Sequence, residues 1–206
     1  MVSVAAAIAV PNLRSARLNA NESAAIATLK NISSGQSQCQ ASGIIDVNGN
    51  GSGEYGYFAE LAASVALRGK TARMAPAVLS NAFGTVQRSR VHRSGYVFQM
   101  FLPDAQERGV AESASGGAPP GVDADNAEVF WCCYAWPQHQ GRSGKRTFFI
   151  NHCGDVLATN GAVRAYDGED DPVSWQAAFA AEAGQAMSSP VAANTLGQDG
   201  NTWVVV

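Results

Sequence analysis

The stretch Val4-Ala5-Ala6-Ala7-Ile8-Ala9-Val10-Pro11-Asn12-Leu13 runs without a break into Arg14-Ser15-Ala16-Arg17-Leu18-Asn19-Ala20-Asn21-Glu22-Ser23-Ala24-Ala25-Ile26-Ala27-Thr28-Leu29-Lys30-Asn31-Ile32. After Pro11, the apolar residues Leu13, Ala16, Leu18, Ala20, Ala24, Ala25, Ile26, Leu29 and Ile32 recur mostly at three- and four-residue steps. That is the period of a helix with one buried stripe. Ala, Leu, Arg and Lys are good helix formers, so local preference agrees with the pattern. Before Pro11 there is no polar face, and a helix apolar all round needs protein or lipid on every side. The reading is one long helix in two environments. A greasy first part, carrying Val4, Ala7, Ile8, Val10, Pro11, Leu13 and Leu18, seeks partners. An amphipathic second part packs on a globular head.

The segments Ala6-Ala7-Ile8-Ala9-Val10-Pro11-Asn12-Leu13, Ala16-Arg17-Leu18, Ala20-Asn21-Glu22 and Ala24-Ala25-Ile26 resemble the start of type IV pilins and of type II secretion pseudopilins. The resemblance covers roughly the first 60 residues, to about the loop Asp46–Tyr55. Three further segments resemble pilin-like heads: Gly95-Tyr96-x-Phe98, Phe130 to Pro137, and Arg146 to Asn151. The family signature begins further upstream, with a basic leader, a cleavage glycine and a glutamate; this chain opens partway into the apolar segment. The resemblance implies a helix that anchors the subunit in the inner membrane and then joins identical subunits in a helical filament. It also implies an extracellular, cell-surface location and no catalytic residues. It leaves two alternatives: a pseudopilin of a secretion machine, and a secreted or anchored ligand-binding or enzymatic domain.

The chain's 206 residues suit one domain plus an extended helix, with residues 1–38 as the assembly helix and 39–206 as the head. Charged residues make up 15%, low against the roughly 25% of ordinary soluble proteins, which favours an extracellular or assembly-forming chain. A net charge of -3 gives no case for nucleic acid. The apolar run Val2–Val10 is shorter than the roughly 20 residues that span a bilayer.

Beyond the first helix, which should end between Gln38 and Ser42 before Gly43, the expected fold class is α+β: a long helix on one face of an antiparallel sheet. Tyr57–Ala62 reads as a short helix. Strands are expected at Gly95–Pro103, Glu128–Trp136, Thr147–Asn151, Val156–Thr159 and Thr202–Val206. The strands from Glu128 to Thr159 follow so closely that they should form an antiparallel meander. Ala111–Asp125 reads as a mobile surface loop, and Trp175–Met187 as a short helix.

Four cysteines, Cys39, Cys132, Cys133 and Cys153, suit a disulfide set in an oxidising compartment. The adjacent Cys132 and Cys133 are poorly placed to bond each other. Cys39 is then expected to pin the helix to the head through Cys132, Cys133 or Cys153; buried free thiols are the alternative.

In Asp46-Val47-Asn48-Gly49-Asn50-Gly51-Ser52-Gly53-Glu54, side-chain oxygens at the first, third and fifth places precede a glycine at the sixth. This matches the opening of an EF-hand-like loop and nominates Asp46, Asn48, Asn50, Ser52 and Glu54 as Ca²⁺ ligands. Tyr57 stands where the loop's bidentate glutamate belongs, and asparagine side chains also close such turns without metal. Asp167–Asp171 and Arg88–Arg93 read as solvated charged segments. The spacing of His139, His152 and the cysteines is not that of a zinc module. No nucleophile elbow and no phosphate-cradling glycine loop is present.

Overall fold

The computed structural model describes residues 3–206, with side chains from Leu13 onward. The fold is α+β: one long helix and an eight-stranded sheet whose pairings are all antiparallel. Helix α1 runs Ser3–Ser42. It stops at Gly43, whose φ of 60° is left-handed and comes without the steric penalty of a side chain. The calls on Val4, Ala7, Ile8, Val10 and Pro11 fall outside the described side chains.

The buried face of α1 is Glu22, Ala25, Leu29, Ile32, Gln36 and Cys39, spaced at threes and fours. The expected stripe is therefore borne out from Ala25 to Ile32. It differs ahead of Glu22, where Leu13 is 74% exposed and the helix carries no head over it.

The short helix α2 spans Phe58–Leu61. The chain then turns through a 3-10 segment, Asn81–Gly84, into strands β1 Val91–Arg93, β2 Tyr96–Pro103 and β3 Gly109–Ala111. Helix α3, Ala124–Ala127, is capped by Asp123, which accepts from the Asn126 N–H. The remaining strands are β4 Cys132–Pro137, β5 Thr147–Asn151, β6 Val156–Thr159, β7 Thr195–Leu196 and β8 Thr202–Val205. The spatial order is β1-β2-β4-β5-β6-β8-β7, with β3 also paired to β2. The expected meander is present as β4-β5-β6.

Three expectations need correcting. The strand expected from Glu128 begins at Cys132, because the N–H groups of Glu128, Val129 and Phe130 are taken by the carbonyls of Ala124 and Asn126 in the turn that closes α3. The loop Ala111–Asp125 is not a free excursion: Glu112 is buried and accepts from the N–H groups of Ala59 and Gly117. The helix expected at Trp175–Met187 is a series of turns and isolated bridges. Its donors bond elsewhere in the chain, Ala178 N–H to the Tyr134 hydroxyl and Ala180 N–H to the Pro190 carbonyl.

The sheet is covered on both faces. The first layer packs α1, α2 and the 58–86 region on Phe98, Met100, Cys133, Phe148 and Ile150. The second packs the irregular 166–203 segment on Val97, Cys132, Tyr134, Trp136 and Phe149. Side chains alternate across a strand, so a strand covered on both sides reads as a continuous apolar run. This explains why all eight residues of β2 are buried.

Candidate functional site

Two regions bear on function: the end of α1 that leaves the head, and the polar loop past its other end.

At the first, the Glu22 carboxylate clamps the helix to the β4–β5 hairpin. Its Oε1 accepts from the backbone N–H groups of Lys145 (2.9 Å) and Arg146 (3.2 Å), and its Oε2 from Arg146 Nε (2.8 Å). One residue earlier, Asn21 donates to the Ser143 carbonyl at 2.7 Å. Leu13 and its neighbours to Ala20 lie on the far side of this clamp, exposed except for half-buried Leu18. Arg14, Arg17 and Arg142 gather around Leu18 and Gly141, lining a cavity of ≈ 370 Å³.

A second polar key sits deeper in the helix. Gln36 is fully buried, donates to the Gly56 carbonyl (2.8 Å) and accepts from the Gly56 N–H (3.0 Å). A buried amide satisfied on both its groups fixes orientation as well as position.

The Asp46–Glu54 loop is a tight turn, as expected, stitched by its own side chains. Asp46 accepts from the N–H groups of Asn50 and Gly51, Asn48 Oδ1 from Asn50 N–H, and Asn50 Oδ1 from Ser52 N–H. Asn48 Nδ2 donates to Asp125 and Glu128 at 2.6 and 3.2 Å, and Asn50 Nδ2 to Glu128 at 2.8 Å. Asp125 and Glu128 were not among the expected residues; they arrive from α3, far away in sequence. Glu54 does not face the turn. It is buried, accepts from Val47 N–H at 2.6 Å and pairs with Arg68 at 3.3 Å. Of the residues nominated for Ca²⁺, Asp46, Asn48 and Asn50 stay together in the turn with their oxygens accepting its N–H groups, Ser52 contributes its N–H, and Glu54 is turned inward, away from them. Among the described residues no group of three His, Cys, Asp or Glu side chains is placed to hold a metal ion.

Glu54 belongs to a buried charged cluster with Glu60, Glu112 and Arg68. Burial raises the Glu54 carboxyl above its usual range and brings that of Glu112 to about 7. Each of these carboxylates accepts backbone N–H groups: Val47 on Glu54, Tyr57 and Arg68 on Glu60, Ala59 and Gly117 on Glu112. They act as staples for the irregular 44–75 and 109–122 stretches. A cavity of ≈ 350 Å³ beside Glu54 and Arg68 is walled by Val47, Pro119, Pro120 and Val122.

All four cysteines are free thiols, with no disulfide among the described residues. Strand alternation puts Cys132 in the second layer, away from Cys39, while Cys133 lies in the first layer with it. Burial pushes the Cys39 thiol up to about 12 and raises Cys132 and Cys133 as well. Cys153 is exposed.

The two charged segments meet each other. Glu169 binds Arg90 and His92, both at 2.6 Å, and Asp171 binds Arg164 at 2.7 Å. His152 packs edge-on against Phe130 at 5.2 Å, and burial lowers its pKa.

Compared with protein-family models, curated proteins and solved structures, the chain matches none. Among the described residues no helix is long and apolar enough to cross a membrane.

Proposed function

We propose that the chain is a non-catalytic subunit of an extracellular, type IV pilus-like filament, polymerising with identical copies through the first part of α1. What carries the reading is the uncovered stretch Leu13–Ala20, which prolongs a helix whose later turns are firmly seated on the head. The apolar residues before it, Val4 to Val10, have a sequence with no polar face to offer water. Burying such a surface among copies of itself requires only shape and apolar area. Head-to-tail contacts of that kind generate open helical assemblies. A short secretion pseudopilus uses the same subunit design and remains the second form of this reading, with the inner membrane holding the helix before assembly.

The test is removal of Met1–Leu13. The shortened chain is expected to stay folded, with unchanged circular dichroism, and to sediment as a monomer, while the full chain forms rods in electron micrographs. Rods formed by the shortened chain would overturn the proposal.

A further inference from the structure

The two ends of the head carry opposite charge, and each combines that charge with exposed apolar side chains. At the helix exit, Arg14, Arg17, Arg142 and Lys145 are exposed and form no ion pair with any described residue. Leu13 and Leu18 lie among them. Glu22, the acid beside them, is already paired with Arg146 at 2.8 Å, and Asp167 and Asp170 line a separate cavity with His92 and His139. At the opposite end, past Ser42, Asn48 and Asn50 gather Asp125 and Glu128 beside Asp46. These three acids also form no ion pair with any described residue. Next to them Val47 is 49% and Val129 51% exposed. Lys70, the neighbouring cation, is held by the Ile44 carbonyl. At ~1.5 Å of rise per residue, Arg17 and Ser42 are about 38 Å apart along α1.

An apolar centre rimmed by charge is the usual make-up of a protein contact surface. Here the two rims have opposite sign and sit at opposite ends of one axis. A surface that matches a different surface of the same molecule makes a heterologous contact, which repeats along a line. We infer that the basic collar of Arg14, Arg17 and Arg142 docks on the acidic end of a second copy, formed by Asp46, Asp125 and Glu128. This contact rests on the filament reading and adds to it the end-to-end, heterologous partner that sets the axial repeat.

The experiment uses the full chain and two charge-reversed variants, R14E/R142E and D125K/E128K, each checked for wild-type circular dichroism. Arg14 and Arg142 make no side-chain contact that folding needs, so the first variant reports on docking even if the second disturbs its loop. Self-association is followed by sedimentation at about 50 mM and about 500 mM salt. Salt is expected to weaken wild-type association roughly tenfold, as screening shortens the reach of exposed charges. Either variant alone should associate at least about tenfold more weakly than wild type, and an equimolar mixture should recover co-assembly. If both variants assemble like wild type while removal of Met1–Leu13 abolishes assembly, the collar contact is wrong and the helix reading stands. If the wild-type chain does not self-associate at either salt concentration, both fall. If R14E/R142E assembles normally but no longer binds vesicles of anionic phospholipid that the wild type binds, the collar faces a membrane and the inference is overturned.

Discussion

Glu112 shows how one carboxyl can set the pH response of a fold. It is 1% exposed; its Oε1 takes two backbone N–H groups, and its Oε2 has no partner. The carboxyl sits near 7 in the folded chain against an ordinary value of 4.5, because burial penalises the charge. The folded state thus holds this proton more tightly than the unfolded state does. Its contribution is fully present below about 4.5 and is lost as pH rises to about 7, a change on the order of 3 kcal/mol. Glu112→Gln, which keeps an acceptor at Oε1, is expected to flatten that slope in urea-melting curves recorded from pH 5 to 8. An unchanged slope would assign it to other groups. The thiols give a second residue-scale prediction. Native protein treated with iodoacetamide at pH 8 should be alkylated at Cys153 alone, since Cys39, Cys132 and Cys133 are buried with raised pKa. Mass spectrometry showing a native Cys39 cross-link would contradict the free-thiol arrangement.

At the scale of elements, α1 is held by packing as much as by its two polar keys. Leu29 is fully buried in the first layer. Leu29→Ala is expected to cost about 2–5 kcal/mol, read as a lower urea midpoint with an unchanged slope. A cost below about 1 kcal/mol would mean that the helix rests only loosely on the sheet. The same scale shows what the sequence made legible. Thr147–Asn151 and Val156–Thr159 have the branched, aromatic character of strands and form strands over those same residues. The buried face of α1 was readable from Ala25 onward by its period. Glu22 and Gln36 broke that pattern by putting polar groups on the buried face; their partners lie on a hairpin and a loop that no local signal connects to the helix. Glu54 was read as a ligand because spacing alone does not say which way a side chain turns, and Arg68 was out of view. The Trp175–Met187 segment failed for a related reason: its backbone bonds are satisfied by distant groups, so tertiary structure overrides helix preference.

For the whole molecule, the sheet is the shared wall of two cores. The second depends on a segment with almost no regular structure, Tyr166 to Trp203, which brings Val173, Phe179, Met187 and Trp203 onto β4 and β5. Ending the chain after Thr159 would bare Val97, Tyr134, Trp136 and Phe149 on that face. Such a contiguous apolar face drives aggregation. A chain ending at Thr159 is therefore expected to be recovered only as insoluble material, whereas removal of residues 1–13 from the other terminus leaves solubility intact. Soluble, cooperatively melting protein from the first deletion would show that the wrap is dispensable.

The pairing of Glu22 and Gln36 on α1 has a mechanical consequence. These attachments are four turns apart, about 21 Å along the rod; Glu22 grips the β4–β5 hairpin, and Gln36 grips Gly56 and reaches Met100 of β2. Tension applied along the rod would load them together, in shear, instead of peeling one before the other. Stretched from its first residues, the subunit should hold as a unit and then give way in a single step.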